Sequence, residues 1–88
     1  MRVLTAIPVY NEARHLLTVL REVRRYSPEI LVVNDGSTDA TAELLAGEQD
    51  IRVLTHPQNR GYGAALISAF AYALEHKVDT LVTMDCDG

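Results

Sequence analysis

An abrupt change from apolar to polar residues divides the segment Ile30-Leu31-Val32-Val33-Asn34-Asp35-Gly36-Ser37-Thr38-Asp39. The apolar part is almost entirely β-branched and does not alternate with polar residues, which is typical of a strand buried on both faces. In the polar part, Gly36 favours a turn, Ser37 or Thr38 can cap a helix, and Asp39 would lie in its first turn. A buried strand that leads directly into a helix predicts a unit of a parallel α/β sheet.

The same pattern repeats along the chain. Strands are predicted over residues 3–7, 51–55 and 80–84, and the strand over 51–55 alternates with period two, as expected of an outer strand. Asn11 is predicted to cap the first helix, which Ser27-Pro28 ends, and Gly47 ends the second. The apolar stripe of the first helix consists of Ala13, Leu16, Leu17, Leu20 and Val23.

The third helix is predicted over residues 61–76. Its spacing of large apolar residues indicates one inward face, made of Leu66, Ile67, Phe70, Ala73 and Leu74. The resulting order, β-α-β-α-β-α-β, implies an α/β fold with a parallel four-stranded sheet and helices on both faces. We expect the strand order 3-2-1-4. No linker interrupts the 88 residues, so we expect one domain over 1–88 and no second domain.

Polar residues follow the strands of this predicted sheet. In parallel sheets ligands bind outside the carboxyl ends of the strands, so three acidic segments would converge there: residues 8–12, 34–37 and 85–88. Asp85 and Asp87 are two residues apart at the end of a strand, and both carboxylates can therefore project to one side. Paired carboxylates suit Mg²⁺ or Mn²⁺, which would complete its shell with water and phosphate oxygens.

Four blocks of sequence carry a resemblance to a known family. They are Pro8-Val9-Tyr10-Asn11-Glu12, the block from Val32 to Asp39, Asn59-Arg60-Gly61-Tyr62-Gly63-Ala64-Ala65, and Met84-Asp85-Cys86-Asp87-Gly88. In this order and spacing they resemble the family 2 glycosyltransferases, which have the Rossmann-like GT-A fold, and most of all the dolichyl- and polyprenyl-phosphate sugar transferases. The resemblance implies that residues 1–88 form the N-terminal, nucleotide-sugar-binding half of a GT-A domain.

The resemblance also implies roles for individual residues. Pro8, Tyr10 and Glu12 would line the base and ribose pocket, Asp35 would hydrogen-bond the nucleobase, Asp85 would meet the ribose, and Asp85 with Asp87 would hold Mg²⁺ or Mn²⁺. Asn34 stands where relatives often carry another Asp, so the base, uracil or guanine, stays open. Arg60 either approaches the diphosphate or is a solvated loop residue.

The catalytic step is expected to need residues beyond these. The resemblance places the general base after the Asp-x-Asp motif, so no catalytic residue is assigned within this chain, and we expect the 88 residues alone not to transfer sugar at a useful rate. A phosphate acceptor, such as a polyprenyl phosphate, is already ionised and would not need that base. The fragment could instead bind nucleotide weakly or only fold.

Three other classes of protein fit the sequence less well. A dinucleotide-binding dehydrogenase fits poorly, because Gly61-x-Gly63-x-x-Leu66 ends in Leu and follows the third strand. A phosphate-receiver domain would need an acidic pair after the first strand. A sugar nucleotidyltransferase would need a Gly-rich, basic loop there, and it stays a remote alternative.

Composition bounds the partners and the compartment. The net charge of −4 supplies no basic field for nucleic acid. The single cysteine, Cys86, fits a reducing, cytoplasmic compartment, and no segment is long and apolar enough to span a membrane. The fourth strand would leave an apolar edge of Leu81, Val82 and Met84, which favours a homo-oligomer.

The histidine residues and two of the tyrosine residues are predicted to have structural and not catalytic roles. His15 and His76 are predicted at exposed helix positions and His56 in a loop, with no spacing typical of a zinc site. Tyr62 and Tyr72 are interpreted as packing residues.

Overall fold

The computed structural model describes residues 1–86, so Asp87 of the predicted metal pair lies outside the described residues. Within them the chain alternates strands and helices as predicted. The elements are β1 (Val3–Val9), α1 (Leu16–Arg24), β2 (Ile30–Asp35), α2 (Thr41–Ala46), β3 (Arg52–His56), α3 (Tyr62–Glu75) and β4 (Thr80–Thr83).

The sheet has the predicted order, β3-β2-β1-β4, and every pair of neighbouring strands is parallel. Ile7 on β1 pairs with Val32 on β2, which in turn pairs with Val53 on β3. Leu4 pairs with Leu81 on β4. The central strands β1 and β2 are the ones whose sequences read as continuous apolar runs, because helices cover both of their faces.

Helices cover both faces of the sheet, as predicted, and each face has its own core. On one face α1 and α2 contribute Leu16, Leu20, Val23 and Leu45, which pack against Ile7, Val9, Ile30 and Val32. On the other face α3 contributes Ala65, Ala69 and Ala73, which pack against Leu4, Ala6, Leu31 and Val33. The alternation of side chains along β1 and β2 therefore divides their apolar residues between two cores.

The prediction of the buried face of α3 is wrong for three of its five residues. Ala73 is buried as predicted and Leu66 is half-buried. The other three are exposed, by 70% for Ile67, 56% for Phe70 and 80% for Leu74. The helix instead turns its small residues to the sheet, four residues apart, because alanine side chains let the helix backbone come close to the strands.

Gly47 ends α2 as predicted, but the caps predicted for the starts of α1 and α2 are wrong, because the two loops at these helix starts bond to each other. Asn11 does not cap α1. It has a positive φ of 52°, and its Oδ1 accepts hydrogen bonds from the backbone N–H groups of Thr38 at 2.7 Å and Asp39 at 3.2 Å. Neither Ser37 nor Thr38 caps α2, whose N-cap is Ala40 without a side-chain bond, and the Oγ of Ser37 accepts the N–H of Asn11. The Oδ1 atom of Asp39 accepts the N–H of Thr41 at 2.9 Å.

The outer strands have the exposure expected of sheet edges. β3 lies at one edge, with Arg52, Val53 and Thr55 exposed. β4 lies at the other edge of the described sheet, and Val82 and the following Met84 are exposed there. Among the described residues, none of the helices has the length and apolar content to cross a membrane.

Candidate functional site

A groove opens where the carboxyl ends of the parallel strands meet. Its volume is about 210 Å³, and its lining includes Pro8 and Tyr10 at the end of β1. Asp35, the last residue of β2, and Gly61 with Tyr62 at the start of α3 line it as well. The groove lies at the edge of the sheet where ligand binding was predicted.

Asp35 is the most constrained polar residue of this groove. It is only 4% exposed, and its carboxylate accepts three hydrogen bonds from the protein. Oδ1 accepts from the ring Nδ1 of His56 at 2.7 Å and from the N–H of Arg60 at 2.9 Å, while Oδ2 accepts from the N–H of Gly61 at 2.8 Å. Burial alone would raise the pKa of Asp35, but these three hydrogen bonds together outweigh it and hold the pKa below its ordinary value.

His56 is a residue that the sequence analysis assigned wrongly to a loop. It is the last residue of β3 and only 7% exposed. An ionised carboxylate can only accept, so Nδ1 carries the proton of the bond to Asp35. The other ring nitrogen, Nε2, lies 2.8 Å from Oγ of Ser68 in α3. The period of the strand could have indicated this burial, because His56 lies two residues after Leu54 and so on the same face, toward α3.

Gly36 lets the loop after β3 cross directly over the end of β2. Its φ is +71°, and a Cβ atom at this position would lie 2.3 Å from the carbonyl carbon of Gln58 and 2.4 Å from the backbone nitrogen of Asn59. Only glycine accommodates both the positive φ and this approach of backbone to backbone. The crossing places the loop where its next N–H groups, those of Arg60 and Gly61, reach Asp35.

Tyr62 links the start of α3 to the end of β4. Its hydroxyl donates a hydrogen bond to Oδ1 of Asp85 at 3.1 Å, and both residues are exposed. This hydrogen bond to a carboxylate raises the pKa of Tyr62. Tyr62 is therefore a polar contact at the groove and not the packing residue that was expected. Tyr72 is half-buried and stacks on His76, with ring centroids 3.9 Å apart.

The remaining residues singled out in the sequence lie around the groove without all lining it. Glu12 lies further along the loop after β1, where its Oε2 is 3.1 Å from Nδ1 of His15, and it is not among the residues that line the groove. Asn34 is buried, and its Oδ1 accepts the N–H of Ser37 at 3.1 Å. Arg60 is an exposed residue that contributes its backbone N–H to Asp35.

The sequence of this chain matches a family model, that of glycosyl transferase family 2, over residues 5–88. The match begins within β1 and includes all the later strands and helices of the described chain. The chain belongs to glycosyl transferase family 2. The resemblance drawn from the four sequence blocks is thereby confirmed.

This family 2 chain is similar to several named sugar transferases. It is 42% identical over 94 residues to an undecaprenyl-phosphate mannosyltransferase of Micrococcus luteus, covering 100% of this chain and 39% of the relative. It is 37% identical over 94 residues to a polyprenol monophosphomannose synthase of Mycolicibacterium smegmatis, covering 99% and 36%. It is 34% identical over 97 residues to a dolichyl-phosphate beta-glucosyltransferase of Trichomonas vaginalis, covering 93% and 28%. The chain thus spans well under half the length of each.

An exposed carboxylate, that of Asp85, follows β4. Asp85 is exposed while the adjacent Cys86 is buried in the core beneath α1, so the two side chains face opposite ways. Between residues 1 and 86 there is no cluster of three acidic, histidine or cysteine side chains that could hold a metal. One exposed carboxylate fits an ion such as Mg²⁺, which binds through one or two carboxylates and keeps water and phosphate oxygens as its other ligands.

Proposed function

We propose that the groove binds the nucleotide of a nucleotide-diphosphate sugar and that Asp85 helps to hold the divalent cation of its diphosphate. The observation that carries this proposal is the arrangement at the carboxyl edge of the sheet. A recess between Tyr10 and Tyr62 suits a planar base and its ribose, and Tyr62 also hydrogen-bonds the exposed Asp85. Membership of a glycosyl transferase family supports a sugar donor as the ligand.

In this proposal every residue except Glu12 keeps the role expected from the sequence. Pro8 and Tyr10 contact the base and ribose, whereas Glu12 does not line the groove and is assigned no contact. A carboxylate offers about four acceptor positions. Three of those on Asp35 are taken by the protein, which leaves one for an N–H of the nucleobase. Asp85 meets the ribose, and Asp85 together with Asp87 holds the metal.

The negative charge at the carboxyl edge of the sheet supports a requirement for a cation when the diphosphate binds. Asp35 and Asp85 are both carboxylates, so a diphosphate that enters beside them meets negative charge. Mg²⁺ or Mn²⁺ would offset the charge of the diphosphate and so help the nucleoside diphosphate to leave. The charge of Asp35 is stabilised by three hydrogen-bond donors, whereas Asp85 is exposed and has one oxygen engaged by Tyr62.

We further propose that the reaction transfers the sugar with inversion to a polyprenyl phosphate. A phosphate oxygen of the acceptor attacks the anomeric carbon, and the bond from that carbon to the diphosphate oxygen breaks. The names of the relatives, which refer to undecaprenyl phosphate, polyprenol and dolichyl phosphate, support this class of acceptor. We assign no general base in residues 1–88, and we propose that these residues alone do not transfer sugar at a useful rate.

The proposal extends to assembly and location. The exposed Val82 and Met84 at the β4 edge favour pairing with a second copy of the chain, because an unpaired apolar edge is a template for another strand. A monomer found by light scattering at high concentration would contradict this. Cys86 is the single cysteine of the sequence, which supports a cytoplasmic location.

Calorimetry with UDP and GDP, each with and without Mn²⁺, tests the binding proposal on the 88-residue chain. We expect one of the two nucleotides to bind and Mn²⁺ to strengthen it. Asp85→Asn should remove most of the gain from Mn²⁺, whereas Asp50→Asn, an exposed control beside β3, should keep it. If a chain shown by circular dichroism to be folded bound neither nucleotide, the proposal would be wrong and a folded, non-binding fragment would be the correct description.

A further inference from the structure

We propose that His56 is a positioning residue for the groove: by fixing the Asp35 carboxylate it holds residues 58–62 as one wall of that groove. The inference rests on the proposed function only for what the groove binds. His56 does not line the groove and is not a candidate for contact with the donor. Its action is through Asp35.

His56 forms a bridge with its two ring nitrogens. Nδ1 bonds Oδ1 of Asp35 at the end of β2, and Nε2 bonds Oγ of Ser68 in the middle of α3. The ring is rigid, so it sets the separation between the end of the strand and the helix. Both Asp35 and His56 are buried, which leaves water little access to replace either bond.

The bond from His56 also orients the Asp35 carboxylate. With His56 and the N–H of Arg60 on Oδ1, the other oxygen, Oδ2, faces the N–H of Gly61. Gly61 has φ +101° and is the residue from which α3 begins. If the ring were absent, nothing on the β3 side would distinguish the two oxygens, and the carboxylate could turn away from one of the two loop N–H groups.

Tyr62 connects the loop to Asp85, the residue proposed to hold the cation. Tyr62 follows Gly61 and donates its hydroxyl to Asp85, so a shift of Gly61 displaces the hydrogen bond at the end of β4. The hydrogen bonds thus run from Ser68 through His56 and Asp35 to the start of α3, and then on to Asp85. His56, which is buried and does not line the groove, thus controls both the wall of the groove and the carboxylate beside it.

Three substitutions separate this role from a general loss of stability. His56→Asn keeps an amide donor close to the position of Nδ1. His56→Gln is the matched contrast, since its longer side chain carries the amide near the position of Nε2. His56→Leu removes both bonds. Ile30→Val, a buried change at the opposite end of β2, controls for lost stability alone.

The main readout is hydrogen exchange of the Gly61 amide, measured by NMR on the folded chain. Wild type, Ile30→Val and His56→Asn should protect it. His56→Leu and His56→Gln should lose protection by at least about tenfold, the factor expected for one hydrogen bond to a charged group. Equal protection in wild type and His56→Leu would overturn the proposal, and so would equal protection in the Asn and Gln variants.

Nucleotide binding is the second readout and keeps the two proposals apart. If wild type binds UDP or GDP, the affinity should follow the order of Gly61 protection across the variants. Affinity unchanged in His56→Leu would overturn the link between His56 and the groove. If wild type binds neither nucleotide, the proposed function fails, while amide exchange still decides whether His56 positions the loop.

Discussion

His56 and Asp35 form a buried pair at the carboxyl edge of the sheet, with Nδ1 of the ring 2.7 Å from Oδ1 of the carboxylate. The pair joins the ends of β2 and β3 to α3, and also to the loop that connects β3 with α3. Every donor around the carboxylate favours its ionised form. The ionised state of Asp35 is therefore part of the folded structure, and it can be tested through the pH dependence of stability.

Acid should destabilise this fold partly through Asp35. Its pKa in the folded chain lies below the ordinary value of 3.8, so the folded state binds protons less readily than the unfolded state. The resulting stability is complete above the unfolded pKa and is lost as the pH falls through the folded pKa, that is, below about pH 4. Urea unfolding from pH 7 to pH 2.5 should show this loss.

The matched comparison for this pH dependence is Asp35→Asn against Asp50→Asn. Asp35→Asn should lower the free energy of unfolding at pH 7 by about 1–3 kcal/mol, since one donor is left facing an amide N–H₂. It should also flatten the acid slope, whereas the exposed Asp50 should change neither. An acid slope equal to that of wild type in Asp35→Asn would show that Asp35 is not the group that titrates.

Gly36 should tolerate no side chain. Gly36→Ala combines a left-handed φ, which costs about 1–2 kcal/mol for an L residue, with a Cβ 2.3 Å from the Gln58 backbone. We expect a loss clearly above the dihedral cost alone, by urea unfolding. Gly63→Ala is the control, because it lies in α3 with open space around it and should be neutral or stabilising by up to about 1 kcal/mol. Equal effects at both glycines would contradict the crossing of the loop over Gly36.

In α3 a small residue is buried and a large one is exposed, so substitutions at the two positions should have opposite consequences for stability from those that residue size would suggest. Ala69→Leu should destabilise the fold by about 1–3 kcal/mol or more, because added volume at a fully buried alanine forces the helix away from the sheet. Phe70→Ala should change the free energy of unfolding by no more than about 0.5 kcal/mol, since that ring is exposed. The reverse result would show that the large apolar face of α3 packs on the sheet.

The hydroxyl of Tyr62 should report on Asp85. The hydrogen bond to the Asp85 carboxylate raises the pKa of Tyr62, so the phenol should ionise at a higher pH in wild type than in Asp85→Asn. An NMR titration of the Tyr62 ring carbons measures this, with Asp79→Asn as the control at the other end of β4. Identical titrations of wild type and Asp85→Asn would exclude the contact in solution.

Much of the architecture could be predicted from local pattern. The continuous apolar runs of β1 and β2, the polar residues that follow them and the helical spacing between them are properties of short segments. They predicted each strand and helix, the order of the sheet and the edge at which the groove lies. The prediction of family membership rested on the same short segments and was confirmed over residues 5–88.

Contacts between distant segments were not predicted in the same way. Asn11 has the residue type of a helix cap, yet it caps nothing in α1 because the loop after β2 offers it two N–H groups. His56 precedes a proline and has the local pattern of a loop residue, but its partners lie 21 positions before it and 12 positions after it. Hydrophobic spacing placed the bulky face of α3 inward, whereas close approach to the sheet selected the alanines.

The amino-acid sequence alone therefore determined the strands, the helices and the class of α/β fold, because periodicity and turn residues act over a few neighbouring positions. It also placed Pro8, Tyr10, Asp35 and Asp85 at one edge, since parallel strands end together. Only the tertiary structure decided which side chains meet there. The Asp35–His56 pair and the Tyr62–Asp85 contact depend on the distance between backbones that are remote in sequence, and that distance is set by how α3 and the loop over Gly36 pack on the sheet.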